Sequence, residues 1–411
     1  MTLLGMLRGN SLWIREPAPR SRASDFHICE NAWGNLRGFL ESCNDGTAKE
    51  KIVERVAMAD TDSLVAEAAE RLFGDLCDPQ AVNNARDEGW KDRLWQALAE
   101  NGLIHASIPE ELGGSGAGLS DGFELMRLAG RFAVPVPLAE TMLAGWLLSK
   151  GSLAVPQGRM SIAPVQPMDE VALKGDGTLG GRARAVPFAR EALHFAVLAM
   201  GPSGPVVALV AAGDCRREED ENLAGEPLDD LVFEGARPLA MARLPAGFGQ
   251  QDLMLMGCVV RSLQIAGALQ DMLTRSVAYS QERVAFEKKI SKFQAVQHNL
   301  ARLAGETAAA IAAAGSAADT LSRDEAEADA VFLEAAAAKI RCAEAASTGA
   351  AIAHQVHGAI GFTTEYVLHR FSLRALGWRD DFGNESYWAV ELGKMLAKRG
   401  ADDLWPLVAS R

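Results

Sequence analysis

YSQERVAFEKKISKFQAVQHNLARLAG, residues Tyr279–Gly305, is the stretch on which the reading of the chain turns. It ends one helix, turns sharply over Phe286–Ser291 and opens a second helix at Lys292. Arg283, near the end of the first helix, either grips a phosphate through bidentate charge-assisted hydrogen bonds or complements the helix C-terminal dipole. Gln294 either offers donor and acceptor to the edge of a heterocycle or stands in solvent. Spacing alone leaves both choices open.

Upstream, Met256, Val259, Leu263, Ala266, Leu269 and Leu273 recur every three or four residues, the period of a helix face. Downstream lie two alanine-rich stretches, Ala301–Leu321 and Asp324–His357, and a last helix over Glu385–Lys398. Alanine has the highest helix propensity, and its small side chain lets helices approach closely. Four long helices with short links predict an antiparallel bundle over residues 251–411.

Residues 156–250 change character. Phe195–Met200 and Val206–Ala212 flank GPSGP, a hairpin pattern with a longer loop, and GDGTLGG (Gly175–Gly181) marks another turn. A small β domain is predicted there. Residues 58–155 read as helical. Asp60, Thr61 or Asp62 is expected to cap a helix through Leu64, Val65, Ala68 and Leu72. Trp90, Leu94, Leu98 and Leu103 form a second helical face, closed near Gly102. IPEELGGSGAG then requires a loop over Ile108–Leu119, with Asp121 capping the next helix. Residues 1–57 are near neutral and without sustained period; they either lie upstream of a start at Met58 or form a flexible extension.

The 411 residues carry a formal charge of −13, which disfavours sequence-independent nucleic-acid binding but not a locally held anion. Six dispersed cysteines form no C-x-x-C pair, and free thiols suit a reducing cytoplasm. No apolar run approaches the roughly 18–20 residues of a membrane span, because Leu253–Val260 runs into Arg261. GGSGAG misses the dinucleotide-binding spacing and reads as a structural turn. Ser115 and Ser203 miss the nucleophile-elbow spacing. His354 and His357 share a helical face but have no third ligand nearby, so no metal is expected.

Arg283, Phe286, Ile290, Phe293, Gln294, Gln297 and His298 form R-x-x-F-x-x-x-I-x-x-F-Q-x-x-Q-H, which resembles the acyl-CoA dehydrogenase family. IPEELGGSGAG resembles that family's Pro-Glu-x-x-Gly-Gly-x-Gly loop, and QVHGAIGFTTEYVLHR (Gln355–Arg370) resembles its Q-x-x-G-G-x-G-[FY] segment. The resemblance covers essentially Met58–Arg411. It implies a mainly α fold: an N-terminal helical domain, a small middle β-barrel or sandwich domain and a C-terminal four-helix bundle, usually assembled as a dimer of dimers. It also implies FAD, an acyl-CoA substrate and α,β-dehydrogenation. In that chemistry a carboxylate takes the α-proton and the flavin accepts the β-hydride. By the same resemblance, Arg283 and Phe286 fall on the pyrophosphate and flavin-linking side, and Gln294, Gln355 and Gly358 near the pyrophosphate or adenosine.

Three departures stand out. Glu287 replaces the glycine that follows the motif phenylalanine, and Ala359 replaces the second glycine of the Gln355 segment. The β domain has neither the family's T/S-E-P-x-A-G-S-D loop nor its W-I-T-like strand. The family's base, a glutamate, falls by count at Phe382, and its alternative position falls near Gly257. Asp381 adjoins the first position and is the candidate base. The reading is therefore an FAD-dependent acyl-CoA dehydrogenase subunit that completes a paralogue's FAD site, in a homo- or hetero-tetramer that passes electrons to an electron-transfer flavoprotein. The alternatives are a self-sufficient homo-oligomer using Asp381 and a non-catalytic CoA-ester-binding or scaffold protein.

Overall fold

The computed structural model describes residues 63–323 and 326–409. Residues 1–57 and the suggested start at Met58 lie outside them.

The first helices are α1 (Leu64–Leu76), α2 (Pro79–Asn83) and α3 (Gly89–Glu100). Ser63 caps α1, its Oγ accepting from the Ala66 N–H at 3.3 Å; the expected caps, Asp60 to Asp62, precede the described residues. Gly102, at φ 69°, closes α3 as predicted, with the Leu103 N–H returning to the Leu98 carbonyl at 2.9 Å.

The glycine loop then spends its own amides. Ser115, Gly116 and Ala117 donate to the carbonyls of His105, Ile108 and Ala106 at 2.8–3.1 Å. The loop is a structural turn with no amides left over at these positions to cradle a phosphate. Helices α4 (Leu119–Arg131) and α5 (Leu138–Lys150) follow. The cap of α4 is Gly118; Asp121 sits one turn in, accepting the Gly118 N–H at 3.1 Å, so it satisfies the helix start from the third position instead of capping it.

Eight strands build the middle domain: β1 (Met160–Ala163), β2 (Val171–Leu173), β3 (Leu179–Pro187), β4 (His194–Gly201), β5 (Gly204–Ala211), β6 (Arg216–Glu218), β7 (Leu228–Ala236) and β8 (Ala240–Arg243). They run in the order β6-β7-β3-β2-β4-β5-β8, with β1 alongside β4. The β4–β5 hairpin is tighter than expected. Pairing extends to Gly201 and Gly204, leaving only Pro202 and Ser203 in the turn. Thr141 of α5 ties the sheet to the preceding helices, its Oγ1 bonding both the N–H and the carbonyl of Met160 at 3.0 and 3.1 Å.

The last region is helical: α6 (Gln250–Glu282), a short hairpin of β9 (Val284–Ala285) and β10 (Lys288–Lys289), α7 (Gln294–Leu321), α8 (Ala328–His357), α9 (Leu368–Trp378), α10 (Glu385–Arg399) and α11 (Leu404–Ala409). Ala310, Ala314 and Ala317 on α7, and Ala335 and Ala338 on α8, are fully buried, as close-packed alanine faces require. Helix α9 was not foreseen; its buried residues Leu368, Phe371, Ala375 and Trp378 cover only three turns. Helices α4 and α6 cross so closely that a Cβ on Gly130 would strike the Gln264 backbone, and one on Gly267 the Arg127 carbonyl.

Helix α6 is long and apolar enough to cross a membrane, although no uninterrupted apolar run announced it. Its most apolar window is 94 % buried inside the fold, which makes it the core helix.

Candidate functional site

Helix α6 ends at Arg283, whose N–H bonds the Tyr279 carbonyl at 2.9 Å. The hairpin follows at once: Lys288 pairs with Ala285, and Lys289 with Val284. Between them Phe286 and Glu287 take φ of 51° and 64°. Two positive φ values define a type I′ turn, whose usual occupants are Asn and Gly. Glu287 therefore stands where a side chain costs roughly 1–2 kcal/mol, as its place after the motif phenylalanine suggested. Phe286 is 89 % exposed, meeting Phe293 edge-on at 6.3 Å between centroids.

The end of α8 lies beside the end of α6. Tyr279 stacks on His357 at 4.5 Å between centroids, and His357 Nε2 meets the Tyr366 hydroxyl at 3.2 Å. His354 Nε2 in turn meets the Ser372 hydroxyl at 2.8 Å, so each imidazole already serves a hydrogen bond. Gly358 has φ 65° and ψ −143°, backbone that essentially only glycine adopts. Gln355, Arg283 and Gln294 are exposed, and none of the three side chains has a hydrogen-bond or ion-pair partner among the described residues. Exposed donors left free suit an anionic, hydrogen-bonding cofactor. On this side the residues present fit the pyrophosphate and adenosine end of FAD.

The other side is closed. Phe382, 1 % exposed at φ 55°, lies against Gly257 so tightly that a Cβ there would overlap its ring. Its carbonyl accepts from Trp388 Nε1 at 2.9 Å and from Cys258 Sγ at 3.2 Å. Burial pushes the Cys258 thiol up to about 12, keeping it a donor. Asp381, beside it, is 7 % exposed and accepts from Arg261 Nε at 2.8 Å. Arg261 also donates to Glu140 Oε1 and Gln264 Oε1, both at 2.6 Å. Lys339, fully buried, donates to the carbonyls of Trp378 at 2.8 Å and Asp381 at 2.6 Å. Burial raises the Asp381 and Glu140 carboxyls, opposed by Arg261, and lowers the Lys339 ammonium. The segment 378–383 is thus fastened from three helices.

Two family models match the chain: the acyl-CoA dehydrogenase N-terminal domain over residues 59–155 and the acyl-CoA dehydrogenase C-terminal domain over residues 251–383. The chain belongs to the acyl-CoA dehydrogenase family. Among its relatives is the acyl-CoA dehydrogenase IpdE2 of Mycobacterium tuberculosis, 28 % identical over 320 residues, covering 76 % of this chain and 90 % of the relative. Among solved structures, the ChsE4–ChsE5 complex from Mycobacterium tuberculosis matches with a TM-score of 0.72 at 24 % identity, over 83 % of this chain and 99 % of that one. The Tcur3481–Tcur3483 steroid ACAD matches with a TM-score of 0.70 at 26 % identity, over 81 % and 97 % of the two chains.

Acyl-CoA dehydrogenases are oxidoreductases that act on CH–CH groups with FAD as cofactor. In this member of the family, the two positions at which the resemblance puts the base, Phe382 and Gly257, meet in space, and neither carries a carboxylate. Sequence reasoning missed the surrounding network of Arg261, Glu140, Gln264 and Lys339. Two signals existed: Arg261 ends the apolar run Leu253–Val260 of α6, and Lys339 interrupts an alanine face of α8.

Proposed function

We propose that this chain is the base-deficient subunit of an FAD-dependent acyl-CoA dehydrogenase. It works beside an intact paralogue and completes that paralogue's FAD site through Arg283, Phe286, Gln294, Gln355 and Gly358. The observation that carries the reading is the contact of Phe382 with Gly257: the two positions at which the resemblance puts the base meet, and neither carries a carboxylate. The Tcur3481–Tcur3483 neighbour, by its name an assembly of two different chains, supports a heteromer.

A thioester α-proton is taken by a carboxylate with a free oxygen at the substrate. Asp381, next to Phe382 in sequence, is 7 % exposed, and its Oδ2 is held by Arg261 Nε at 2.8 Å, with the Arg261 guanidinium against the Phe382 ring. Its role in this reading is to anchor segment 378–383, not to move a proton. FAD, when bound, supplies the hydride acceptor. Arg283 offers its guanidinium fork to a phosphate, and Gln294 and Gln355 offer amides to neighbouring oxygens or to an adenine edge. Gly358 ends α8 at φ 65° and faces open space, a Cβ there meeting nothing within 4 Å. The substrate of the assembly is an acyl-CoA thioester, its electron acceptor an electron-transfer flavoprotein, and its compartment the cytoplasm.

Co-expression with an intact paralogue tests the reading. A flavin-poor, inactive lone chain and a flavin-loaded, active pair are expected. Full flavin occupancy and turnover in the lone chain would contradict it.

A further inference from the structure

A cleft of about 270 Å³ opens where α2, the start of α3, the β domain and α9 come together. None of Gly257, Phe382, Arg283 or Gln355 lines it. Trp90 and Phe188 give it apolar walls, and Arg86, Arg370 and Arg374 give it cationic ones.

The charges in this cleft do not balance. Arg374 is 4 % exposed; its Nε bonds Glu226 Oε1 at 2.7 Å, and its Nη1 bonds the Arg370 carbonyl at 2.9 Å. The second oxygen of Glu226 accepts from Asn222 Nδ2 at 3.2 Å, so that carboxylate is committed. At the rim, Lys91 pairs with Glu88 at 2.9 Å, and Asp87 accepts the Gly89 N–H at 3.0 Å. Arg370, one turn before Arg374, has neither an ion pair nor a side-chain hydrogen bond among the described residues, and its Nε is buried. Burial and the neighbouring Arg374 push its guanidinium down to about 10. Arg86, exposed in the cleft wall, also has neither an ion pair nor a side-chain hydrogen bond among the described residues.

A half-buried guanidinium with a buried, unbonded Nε next to a second guanidinium is unfavourable unless something anionic meets it. Its planar fork matches a carboxylate or a phosphate in two parallel hydrogen bonds. We propose that this cleft binds a small organic oxyanion, a phosphate or carboxylate borne on an apolar or planar group. Arg370 grips the oxyanion, Arg86 closes on it from the rim, and Trp90 and Phe188 flank the group that carries it. The cleft's concavity and its aromatic walls favour a small molecule over the side chain of a partner protein. The dehydrogenation chemistry proposed above plays no part in this argument.

Calorimetric titration and thermal melting of the purified full chain test it. The probes are inorganic phosphate and benzoate, with sodium chloride at matched ionic strength as control. Saturable binding of at least one probe is expected, with a raised Tm, and Arg370→Gln should weaken it on the order of tenfold. Phosphate alone binding identifies a phosphoryl ligand; benzoate binding identifies a carboxylate on an aromatic group. Should Arg370→Gln fail to fold, Arg86→Gln, at an exposed position, should weaken the same binding several-fold. In chloride alone, Arg370→Met should melt no lower than the parent, because an uncompensated charge is removed and the packing retained. Neither probe binding above chloride would overturn the proposal, as would unchanged affinity in the arginine variants. A marked fall in Tm for Arg370→Met would also overturn it, since Arg370 would then already be satisfied.

Discussion

A Cβ built on Gly257 would stand 2.5 Å from Cε1 of Phe382, so a residue of α6 and a residue of the loop before α10 compete for one volume. Real Cβ atoms do not approach so closely, the Phe382 main chain is held by Trp388 and Cys258 at its carbonyl, and the ring is buried. Gly257→Ala should therefore destabilise the chain by about 1–3 kcal/mol, the usual cost of overpacking. Phe382→Leu in the same background should return part of the loss. Urea melts of the two single variants and the double variant check this, with non-additivity as the expected signature.

Glu287 at φ 64° is strained, and it sets a carboxylate four residues from Arg283. Glu287→Gly should raise stability by about 1 kcal/mol. In a co-assembled enzyme it should also tighten flavin binding, because a negative charge near the proposed pyrophosphate contact of Arg283 is removed. Flavin release followed by fluorescence, with and without the substitution, measures the second effect.

The long helices, the β domain and the sharp turn after Arg283 were legible in the sequence because each rests on local information. Apolar residues recur at helical spacing, alanine runs favour helix, and the break between two helical patterns marks the turn; that the turn is a hairpin was not foreseen. Gly257 and Phe382 could be named by counting along family motifs, but their contact could not, since it depends on how α6 and segment 378–383 pack. The Arg261 network was harder still. Glu140, Arg261 and Asp381 come from three distant segments, and nothing in their spacing pairs them. The short helix α9 was hidden by the glycines and polar residues on either side of it.

Arg261 balances two buried carboxylates, Glu140 and Asp381. Arg261→Met leaves Glu140 without its cation and Asp381 with only Lys339 nearby, and should destabilise by about 3–5 kcal/mol. Combining it with Glu140→Gln and Asp381→Asn should recover most of that loss. Asp381→Asn alone should lower the Tm of an assembled enzyme yet leave its turnover per flavin unchanged. Abolished turnover with an intact flavin spectrum would instead make Asp381 the base.

Burial raises the Cys258 thiol from 9.0 to about 12. Between these values the unfolded chain gives up a proton that the folded chain keeps, so stability present below pH 9 is lost as pH rises through the window. Cys77 and Cys342, also raised to about 12, add to the same trend. Cys258 has a further consequence, because a thiolate can no longer donate to the Phe382 carbonyl. Thermal melts across pH 8–11 should fall less steeply for Cys258→Ala than for the parent chain, and equal slopes would exclude this contribution.

The visible absorption spectrum of the purified chain, alone and co-assembled with an intact paralogue, before and after adding acyl-CoA, tests the central claim most directly. The account predicts little flavin and no bleaching for the lone chain, and full flavin with bleaching for the pair. A lone chain that carries stoichiometric flavin and bleaches it with acyl-CoA would contradict it.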